Sequence, residues 1–373
     1  MIFIGTYMKI VHVVEPFASG IATFVQSIVQ NLRDDHHIVI HGERECVMRS
    51  AEVIKYFPED NVQFIRWRSA QRSISLVKDT AALVELCQLL KNLKAKKMVD
   101  AVHLHSSKSG FLGRLACRLT NIPNVIYTPN GAPFLLSNVN AMNLLYKLFE
   151  KLGSAFGGKV VCSSRSEQTA YRKLGIRALN INNGISISEN RNAAKLNPVS
   201  TARFRIVTSA RIVQQKDPAL FNDIAACFKD FDQFEFIWVG DGEDRHLLTA
   251  PNITITGWLP QAEVLRLIDG ANLYLSTSQY EGLSFSVLEA LSLRKTVLLK
   301  DCIGNRDIVR KGLNGDLFTS KQEAIVKIFQ YYNNPAMLQV MGEYSGWLCH
   351  KEFNVDATCL LYRDLYKRVV INK

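Results

Sequence analysis

The sequence predicts an α/β protein made of two doubly wound domains, each a parallel β-sheet wrapped by helices. Short apolar runs typical of buried strands alternate with amphipathic helical patterns nearly throughout the chain. A polar segment at residues 188–198 interrupts this alternation, which then starts afresh, and we interpret it as a linker. The length of 373 residues, with 47% hydrophobic residues, is ample for two packed cores.

The first half of the chain contains seven strand patterns separated by helical patterns. The predicted strands are Lys9–Val14, His37–His41, Val62–Arg66, Ala101–His105, Asn124–Thr128, Lys159–Cys162 and Ala178–Asn182. The clearest predicted helices are Ile21–Leu32, Ile74–Leu93, Gly110–Leu119, Ala141–Ala155 and Arg165–Leu174. We therefore expect residues 1–187 to form one Rossmann-like domain.

The second half repeats this organisation. Its predicted strands are Arg205–Ser209, Phe234–Val239, Ile253–Thr256, Asn272–Ser276 and Thr296–Lys300. Its predicted helices are Pro218–Phe228, Gln261–Leu267, Phe285–Leu293 and Lys321–Tyr331, and residues 334–370 are helical without strands. We expect residues 200–350 to form a second Rossmann-like domain, and residues 351–373 to form a helix that packs back on the first.

The chain is basic, with a net charge of +11, and most of the excess lies in its first half. Residues 1–190 hold 23 Lys and Arg against 14 Asp and Glu, a net charge of +9, whereas residues 191–373 hold 22 against 20. Leucine and phenylalanine are interleaved with these basic residues, which favours an anionic membrane surface as the partner; a solvated basic face is the alternative. The absence of a zinc-finger or RNA-recognition signature argues against nucleic acid.

Cysteine usage and hydropathy indicate the compartment. The eight cysteines form no Cys-x-x-Cys pair, and Cys117, Cys162 and Cys227 lie in apolar patterns typical of core thiols. This argues for a reducing compartment and against structural zinc. No apolar run reaches the roughly 18 residues that a membrane span needs. We expect a cytoplasmic protein that can associate peripherally with the inner face of the cytoplasmic membrane.

Two glutamates eight residues apart, Glu281 and Glu289, mark the most informative candidate site. A strand pattern precedes Glu281 and a helix is predicted from Phe285, so Glu281 and Gly282 occupy the connecting turn. Ligands of open α/β sheets bind at such turns, where the free N–H groups at the helix start attract an anion. Two carboxylates beside an anion site suit a nucleotide-sugar. A solvated pair of surface glutamates is the alternative.

Other loops at strand ends add candidate groups. Gly20 follows the first strand and would let the backbone approach a phosphate or sugar. Arg211 and Lys216 follow the first strand of the second half and could neutralise a diphosphate leaving group. Gly240 ends the next strand, and Trp258 lies where a base could slot. A structural turn is the alternative for Gly20. Ordinary surface charge is the alternative for Arg211 and Lys216, and simple packing is the alternative for Trp258.

Together these motifs resemble the group 1 glycosyltransferases: retaining, nucleotide-sugar-dependent enzymes of bacterial capsule, O-antigen and exopolysaccharide synthesis. The resemblance spans nearly the whole chain and implies the GT-B fold, two Rossmann-like domains facing a cleft. The motifs that carry it are Arg211…Lys216-Asp-Pro, Val239-Gly-Asp-Gly-Glu243, Gly257-Trp258, the Glu281–Glu289 pair, Gly304-Asn-Arg-Asp307…Gly315 and Val102-His-Leu-His105…Arg114.

This resemblance implies a role for each site residue. Arg211 and Lys216 would hold the donor diphosphate, and Glu281 would contact the transferred sugar; these three are the catalytic candidates. Glu289 would accept hydrogen bonds from the ribose hydroxyls. The backbone that meets the phosphate and sugar would be that of Gly282, Leu283, Ser284 and Phe285. Members of the family generally need no metal, and we expect no cofactor beyond a nucleotide-sugar co-substrate, a UDP-sugar in preference to a GDP-sugar.

The chain departs from the family pattern after the fifth strand. Many relatives carry His-Gly where this sequence has Asn130-Gly131. Asparagine can donate a hydrogen bond to a sugar but cannot shuttle a proton, so a role for histidine there does not carry over. Asn130 and His105 are the acceptor-side candidates. His103 and His105 face the same side of one strand, and a satisfied core histidine is the alternative for each.

Three hypotheses follow. The first is transfer of a hexosyl or N-acetylhexosaminyl group from a nucleotide diphosphate to a glycan or a polyprenyl-diphosphate-linked acceptor. The second is a non-catalytic scaffold subunit of a polysaccharide assembly complex. It is suggested by Asn130, which stands where many relatives carry histidine. The third, a nicotinamide-dependent enzyme, needs a Gly-x-Gly-x-x-Gly straight after a strand, and the sequence has none.

Overall fold

The computed structural model describes residues 7–43, 50–58, 60–71, 75–136, 141–187, 192 and 203–371. The chain divides into two compact units. The first unit comprises Met1–Asn182 together with Asp356–Lys373, and the second comprises Asn183–Val355. The predicted linker at residues 188–198 lies outside the described residues, apart from Asn192.

The first unit is built on a seven-stranded parallel sheet with the order β3-β2-β1-β4-β5-β6-β7. Its strands are β1 (Lys9–Val14), β2 (His36–His41), β3 (Val62–Arg66), β4 (Ala101–His105), β5 (Val125–Thr128), β6 (Lys159–Cys162) and β7 (Ala178–Asn180). Its helices are α1 (Ser19–Asn31), α2 (Ser50–Ile54), α3 (Leu76–Ala95), α4 (Ser107–Leu119), α5 (Ala141–Ala155) and α6 (Arg165–Lys173). The order reverses between β1 and β4, which is the topological switch point of a doubly wound fold.

The second unit has a six-stranded parallel sheet with the order β10-β9-β8-β11-β12-β13. Its strands are β8 (Phe204–Ser209), β9 (Phe234–Val239), β10 (Ile253–Ile255), β11 (Leu273–Ser276), β12 (Thr296–Lys300) and β13 (Gly315–Phe318). Its helices are α7 (Pro218–Ala226), α8 (Gln261–Asp269), α9 (Phe285–Ser292), α10 (Asn305–Ile308), α11 (Lys321–Tyr332) and α12 (Pro335–Glu352). The switch point lies between β8 and β11. The two sheets confirm the predicted α/β class.

Strand β13 was not predicted from the sequence. It begins at Gly315, whose φ of 153° and close approach to the carbonyl oxygen of Val297 on β12 both require a glycine. The strand has four residues and lies at the edge of the sheet. Because it contains a glycine and an aspartate and lacks β-branched residues, its sequence carries little strand signal.

The last helix, α13 (Val355–Ile371), packs against the sheet of the first unit. The hydroxyl of Tyr366 lies 2.7 Å from Nδ1 of His103 on β4. The hydroxyl of Tyr362 lies 3.3 Å from Oγ1 of Thr128 on β5. Both tyrosines are fully buried, so the helix forms part of the core of that unit.

One prediction about the cysteines is wrong. Cys117 and Cys162 are buried, as expected of core thiols, but Cys227 is exposed. It lies just after the last turn of α7, where the apolar pattern of the helix ends and the side chain reaches solvent. In the described parts of the chain, no helix is both long enough and apolar enough to cross a membrane.

Candidate active site

The candidate site residues of the second unit lie in loops at the carboxyl ends of its parallel strands. The loop after β8 carries Arg211 and Lys216, and the loop after β11 carries Glu281. Gly240 follows β9, and Gly304 follows β12. Parallel strands deliver these loops to one edge of the sheet, the edge where open α/β folds bind ligands.

Lys216 and Glu281 form an ion pair. The ammonium Nζ of Lys216 donates to Oε1 of Glu281, and the two side chains are only 15% and 8% exposed. Two other contacts hold the loops together. The N–H of Gln279 donates to the carbonyl oxygen of Gln215 at 2.8 Å, and the hydroxyl of Thr277 donates to the carbonyl oxygen of Lys216 at 2.7 Å. The backbone thus fixes the cation and the carboxylate as neighbours.

Gly304 packs directly against the turn that contains Glu281. A Cβ atom at position 304 would lie 2.7 Å from Cβ of Glu281 and 2.8 Å from the carbonyl oxygen of Gly282. Its φ of 89° is also in the left-handed region. The loop after β12 therefore needs a glycine here, and this close approach supports the position of Glu281.

Glu289 lies one turn into α9, with its residue only 7% exposed. Nε2 of Gln261, the first residue of α8, donates a hydrogen bond of 2.6 Å to its Oε1. Burial raises the pKa of Glu289 to about 7, and the hydrogen bond from Gln261 opposes that rise. The carboxyl group is therefore poised between its neutral and ionised forms near neutral pH.

The start of α9 offers backbone N–H groups together with the hydroxyls of Ser284 and Ser286, which lie 3.1 Å apart. Ser284 is the N-cap residue, and no side-chain hydrogen bond caps the helix. The side chains of Leu283 and Phe285 are buried in the core, so only their backbone can take the predicted donor-binding role. The carbonyl oxygen of Leu283 accepts a hydrogen bond of 2.9 Å from Asn183.

The loop after β8 is tied to the end of β9. Nε1 of Trp238 donates to the carbonyl oxygen of Ala210 at 2.9 Å. A Cβ atom at Gly240 would lie 2.2 Å from the same oxygen, and φ of Gly240 is 136°. This packing places Arg211, which is half-buried, directly beyond the strand. Trp258 is 42% exposed.

Gly20 does not lie in the loop where the sequence analysis placed it. Helix α1 begins at Ser19, so Gly20 is in its first turn. Helix α1 starts two residues earlier than predicted, because the bend that leaves β1 is confined to residues 15–18. A helical residue close to an N-terminus can still offer a backbone N–H to an anion.

Asn130, in the first unit, has a left-handed backbone with φ of 56°. The next residue, Gly131, donates its N–H to Oε1 of Glu167 at 2.8 Å. The other oxygen of Glu167 accepts from the N–H of Ser163 at 3.0 Å and from its hydroxyl at 3.2 Å. Glu167 is fully buried, and burial raises its pKa to about 7 despite these hydrogen bonds. It fixes the turn that presents Asn130.

The acceptor-side assignment of His105 does not fit the structure. His105 has no exposed surface, and its Nε2 lies 3.1 Å from Nδ1 of His12. Nε2 of His12 in turn lies 3.1 Å from Nδ1 of His37, whose Nε2 is 3.2 Å from the carbonyl oxygen of Leu32. His105 is thus a core residue, which was the alternative interpretation, because β4 is central in the sheet and covered by helices.

The carbonyl of Leu32 sets the proton positions along this histidine chain. A carbonyl only accepts, so Nε2 of His37 carries a proton, Nδ1 of His37 accepts, and Nε2 of His12 donates to it. By the same reasoning, Nε2 of His105 donates to Nδ1 of His12. Burial lowers the pKa of His12, His37 and His105, which keeps the chain neutral. Ring nitrogens of His12, His103 and His105 lie within 4.8 Å of one another.

Three supporting residues were not identified from the sequence as site residues. Gln261 follows Pro260 at the start of a predicted helix, and that position was a usable signal. Gly304 was part of a family motif without an assigned role. Glu167 belongs to the capping-box pattern Ser164-Arg-Ser-Glu167, which signals a helix start, but its contact with the distant Gly131 cannot be inferred from that pattern.

Known structures with two doubly wound domains share this architecture. Sucrose-phosphate synthase from Thermosynechococcus elongatus matches 98% of this chain and 100% of its own, with a TM-score of 0.79 at 16% identity. Anabaena HepE in complex with UDP-glucose matches 97% and 100%, with a TM-score of 0.75 at 16% identity. These similarities, with the two sheets described above, define a protein of the GT-B fold class.

Sequence comparison identifies two glycosyltransferase domains. Residues 190–346 match the model for glycosyl transferases group 1, and residues 19–182 match that for a glycosyl transferase 4-like domain. The Escherichia coli UDP-Gal:alpha-D-GlcNAc-diphosphoundecaprenol alpha-1,3-galactosyltransferase is 24% identical over 339 residues, which cover 84% of this chain and 86% of that enzyme. The chain therefore contains a glycosyl transferase 4-like domain followed by a glycosyl transferases group 1 domain.

Proposed function

We propose that this glycosyltransferase moves a hexosyl or N-acetylhexosaminyl group from a UDP-sugar to a polyprenyl-diphosphate-linked or glycan acceptor during bacterial surface polysaccharide synthesis. The observation that carries the proposal is the Lys216–Glu281 ion pair at the strand edge of the second unit. A cation there can bind a diphosphate, and a carboxylate there can bind sugar hydroxyls.

Donor binding would use both partners of this pair. The diphosphate would draw the ammonium of Lys216 toward its oxygens, and Glu281 would then accept hydrogen bonds from the sugar. The N–H groups at the start of α9 would add positive potential next to the phosphates. The donor would replace the bond between Lys216 and Glu281, while the hydrogen bonds between their loops would keep both groups at the site.

The reaction breaks the bond between the anomeric carbon and the diphosphate oxygen, and the acceptor hydroxyl oxygen forms the new bond. Negative charge grows on the leaving oxygen, where Lys216, with Arg211 as the second proposed cation, would offset it. The acceptor proton is lost to the departing diphosphate or to solvent. We propose retention of anomeric configuration by analogy with the family, with no metal or cofactor.

The nucleoside would bind between Glu289 and Trp258. The carboxyl of Glu289, oriented by Gln261, would accept hydrogen bonds from the ribose hydroxyls, and the exposed ring of Trp258 would lie against the base. Uridine is the favoured base, since the E. coli relative is named for UDP-Gal and HepE has been solved with UDP-glucose. Gly240 would keep the loop after β8 in place.

The first unit, with the acceptor-side residue Asn130, would bind the acceptor. The E. coli relative is named for a GlcNAc-diphosphoundecaprenol acceptor, a lipid-linked sugar. A lipid-linked acceptor would bring this basic protein to the anionic inner surface of the cytoplasmic membrane, by peripheral association. The acceptor domain would correspond to residues 1–187 and the donor domain to residues 200–350.

A donor screen tests this proposal. The purified protein is incubated with a library of UDP- and GDP-sugars, and nucleoside diphosphate release is followed by mass spectrometry. We expect slow hydrolysis of one UDP-sugar in the absence of acceptor. The scaffold alternative, for which the Asn130 departure is the motive, predicts no hydrolysis and no heat of binding for UDP or GDP in calorimetry.

A further inference from the structure

Helix α5 (Ala141–Ala155) exposes a stripe of leucines. Leu144, Leu148 and Leu152 are 68%, 49% and 46% exposed. They are spaced four residues apart and therefore lie along one face of the helix. A surface helix normally turns such a stripe toward the core.

The opposite face of α5 is polar, small and buried. Asn143, Glu150 and Gly153 are its buried residues. The side-chain amide of Asn143 donates to the carbonyl oxygens of Phe134 and Leu136 at 3.0 and 2.9 Å. These hydrogen bonds fix the first turns of the helix.

A buried ion pair fixes the middle of the helix. Oε2 of Glu150 pairs with Nη2 of Arg114 at 3.2 Å, and Oε1 accepts from the hydroxyl of Tyr127 at 2.7 Å. A Cβ atom at Gly153 would lie 2.3 Å from Nη2 of Arg114, so the guanidinium occupies the space that this glycine leaves. Rotating the helix to bury its leucines would break this pair, and the outward orientation of the stripe is therefore built into the fold.

Two lysines accompany the leucines. Lys147 and Lys151 lie three and seven residues after Leu144, at one edge of the exposed face. Among the described residues, neither lysine forms an ion pair, and Glu150, the acidic residue of the helix, is buried on the far side. The face presented to solvent is therefore apolar and positively charged.

We propose that this leucine–lysine face of α5, defined by Leu144, Lys147, Leu148, Lys151 and Leu152, docks on an anionic phospholipid surface. The leucines would enter the boundary between headgroups and acyl chains, and the ammonium groups would meet lipid phosphates. From Leu144 to Leu152 the stripe is about 12 Å long, which suits a helix lying in the plane of the interface. The inference rests on the proposed function in one respect: a lipid-linked acceptor would explain why the enzyme binds a membrane.

A second copy of the chain fits this face less well. Three partly exposed leucines offer only a fraction of the roughly 800 Å² per partner that a stable protein interface buries. A symmetric contact would also bring lysines of two copies close together, which is unfavourable. An anionic bilayer supplies both the apolar medium and the negative charge that the face lacks.

Vesicle flotation tests the assignment with the full-length protein. Vesicles of phosphatidylethanolamine with roughly 30% phosphatidylglycerol, which are anionic, are compared with phosphatidylcholine vesicles, which carry no net charge. We expect the double variant Leu144→Ser/Leu148→Ser to bind the anionic vesicles at least about tenfold more weakly, since each leucine removed loses its transfer free energy. The matched control is Leu360→Ser/Leu361→Ser on α13, where the leucines are 60% and 53% exposed, and it should bind within about twofold of the original protein.

A direct measurement covers the case in which the double variant folds poorly. Leu148→Trp should show blue-shifted fluorescence with anionic vesicles and quenching by brominated acyl chains, whereas Leu360→Trp should show neither. Unchanged vesicle binding of Leu144→Ser/Leu148→Ser, or equal quenching at positions 148 and 360, would overturn the proposal. Sedimentation velocity that shows a dimer lost only in that double variant would assign the face to a second copy instead.

Failure of this inference is separable from failure of the proposed function. Donor hydrolysis without acceptor takes place in solution and requires no membrane. The double variant should hydrolyse the UDP-sugar as fast as the original protein, even though it no longer floats with vesicles. Binding to vesicles without any nucleotide-sugar activity would leave the docking face in place and reject only the proposed reaction.

Discussion

The ammonium group of Lys216 is paired with the carboxylate of Glu281, although the two residues are 65 positions apart and lie on different loops. Both side chains are largely buried, and hydrogen bonds from Gln279 and Thr277 join their loops. A pair held in this way can present a positive and a negative group to one ligand.

Lys216→Ala should lower kcat/KM for the UDP-sugar by about 10²–10³-fold, the usual cost of removing one charge-stabilising donor from an active site. It also leaves the carboxylate of Glu281 buried without its cation. Steady-state kinetics measures the change. Lys327→Ala is the matched control, because Lys327 pairs with Asp316 at 3.0 Å elsewhere in the same unit and is 25% exposed. Equal losses in the two variants would show that the effect is structural.

UDP binding should strengthen as pH rises from 6 to 8. The pKa of Glu289 is raised to about 7, so its carboxyl is mostly neutral at pH 6 and ionised at pH 8. An ionised carboxylate is the stronger acceptor for ribose hydroxyls. In calorimetry, UDP binding by Glu289→Gln should lose the part of the pH dependence that comes from this carboxyl group. The titration of UDP itself affects both proteins equally and therefore cancels in the comparison.

Glu167→Gln is the control for that experiment, since Glu167 also has a pKa raised to about 7 but belongs to the other unit. Its donor binding should keep the original pH dependence.

The raised pKa of Glu289 also affects the stability of the fold. Its contribution to stability is complete below its unfolded value of about 4.5 and is lost as pH rises through about 7. If UDP binding by Glu289→Gln kept the original dependence on pH, Glu289 would not be the titrating group.

Gly304→Ala should lower both the stability and the donor affinity of the enzyme. The new methyl group would meet the backbone and Cβ of Glu281, and the left-handed φ adds about 1–2 kcal/mol of strain. Gly312→Ala is the matched control: its φ is 73°, but no atom lies within 4 Å of the added Cβ. Chemical denaturation should show a loss of stability in both variants, whereas the affinity for UDP should fall only in Gly304→Ala.

Asn130→Gly should weaken acceptor use while leaving the fold intact. Glycine adopts the φ of 56° without strain, so this substitution removes the side-chain amide, with its 3.4 Å hydrogen bond to the carbonyl oxygen of Thr128, and keeps the backbone conformation of the turn. Losing one neutral hydrogen bond should raise the KM for the acceptor roughly two- to tenfold. Donor hydrolysis without acceptor should not change. Asn130→Ala separates the two effects, because it loses the amide and also strains the turn.

The contacts of Glu150 explain why the stripe on α5 was not recognised from the sequence. The helix itself was predicted at Ala141–Ala155, and the structure has the same bounds. Its leucine periodicity indicated which residues share a face but not which face is buried. That choice depends on Arg114 and Tyr127, which reach Glu150 from other elements. Periodicity describes one helix, whereas burial depends on what that helix packs against.

The sequence alone determined the alternation of strands and helices, and with it the doubly wound class. It also located the loops at strand ends, because apolar runs and glycine turns are local signals that need no knowledge of the rest of the chain. His105 shows where such signals stop. A histidine in a strand has the same local pattern whether it faces a ligand or other histidines, and here its partner is His12.

Only the tertiary structure decided which of these groups touch. It paired Lys216 with Glu281, placed Gln261 on Glu289 and put Glu167 beneath the turn of Asn130. It also raised the pKa of both Glu289 and Glu167 to about 7. Burial and contact between distant segments depend on how the sheet and helices pack, and the free energy of a buried carboxyl depends on that packing rather than on its neighbours in sequence.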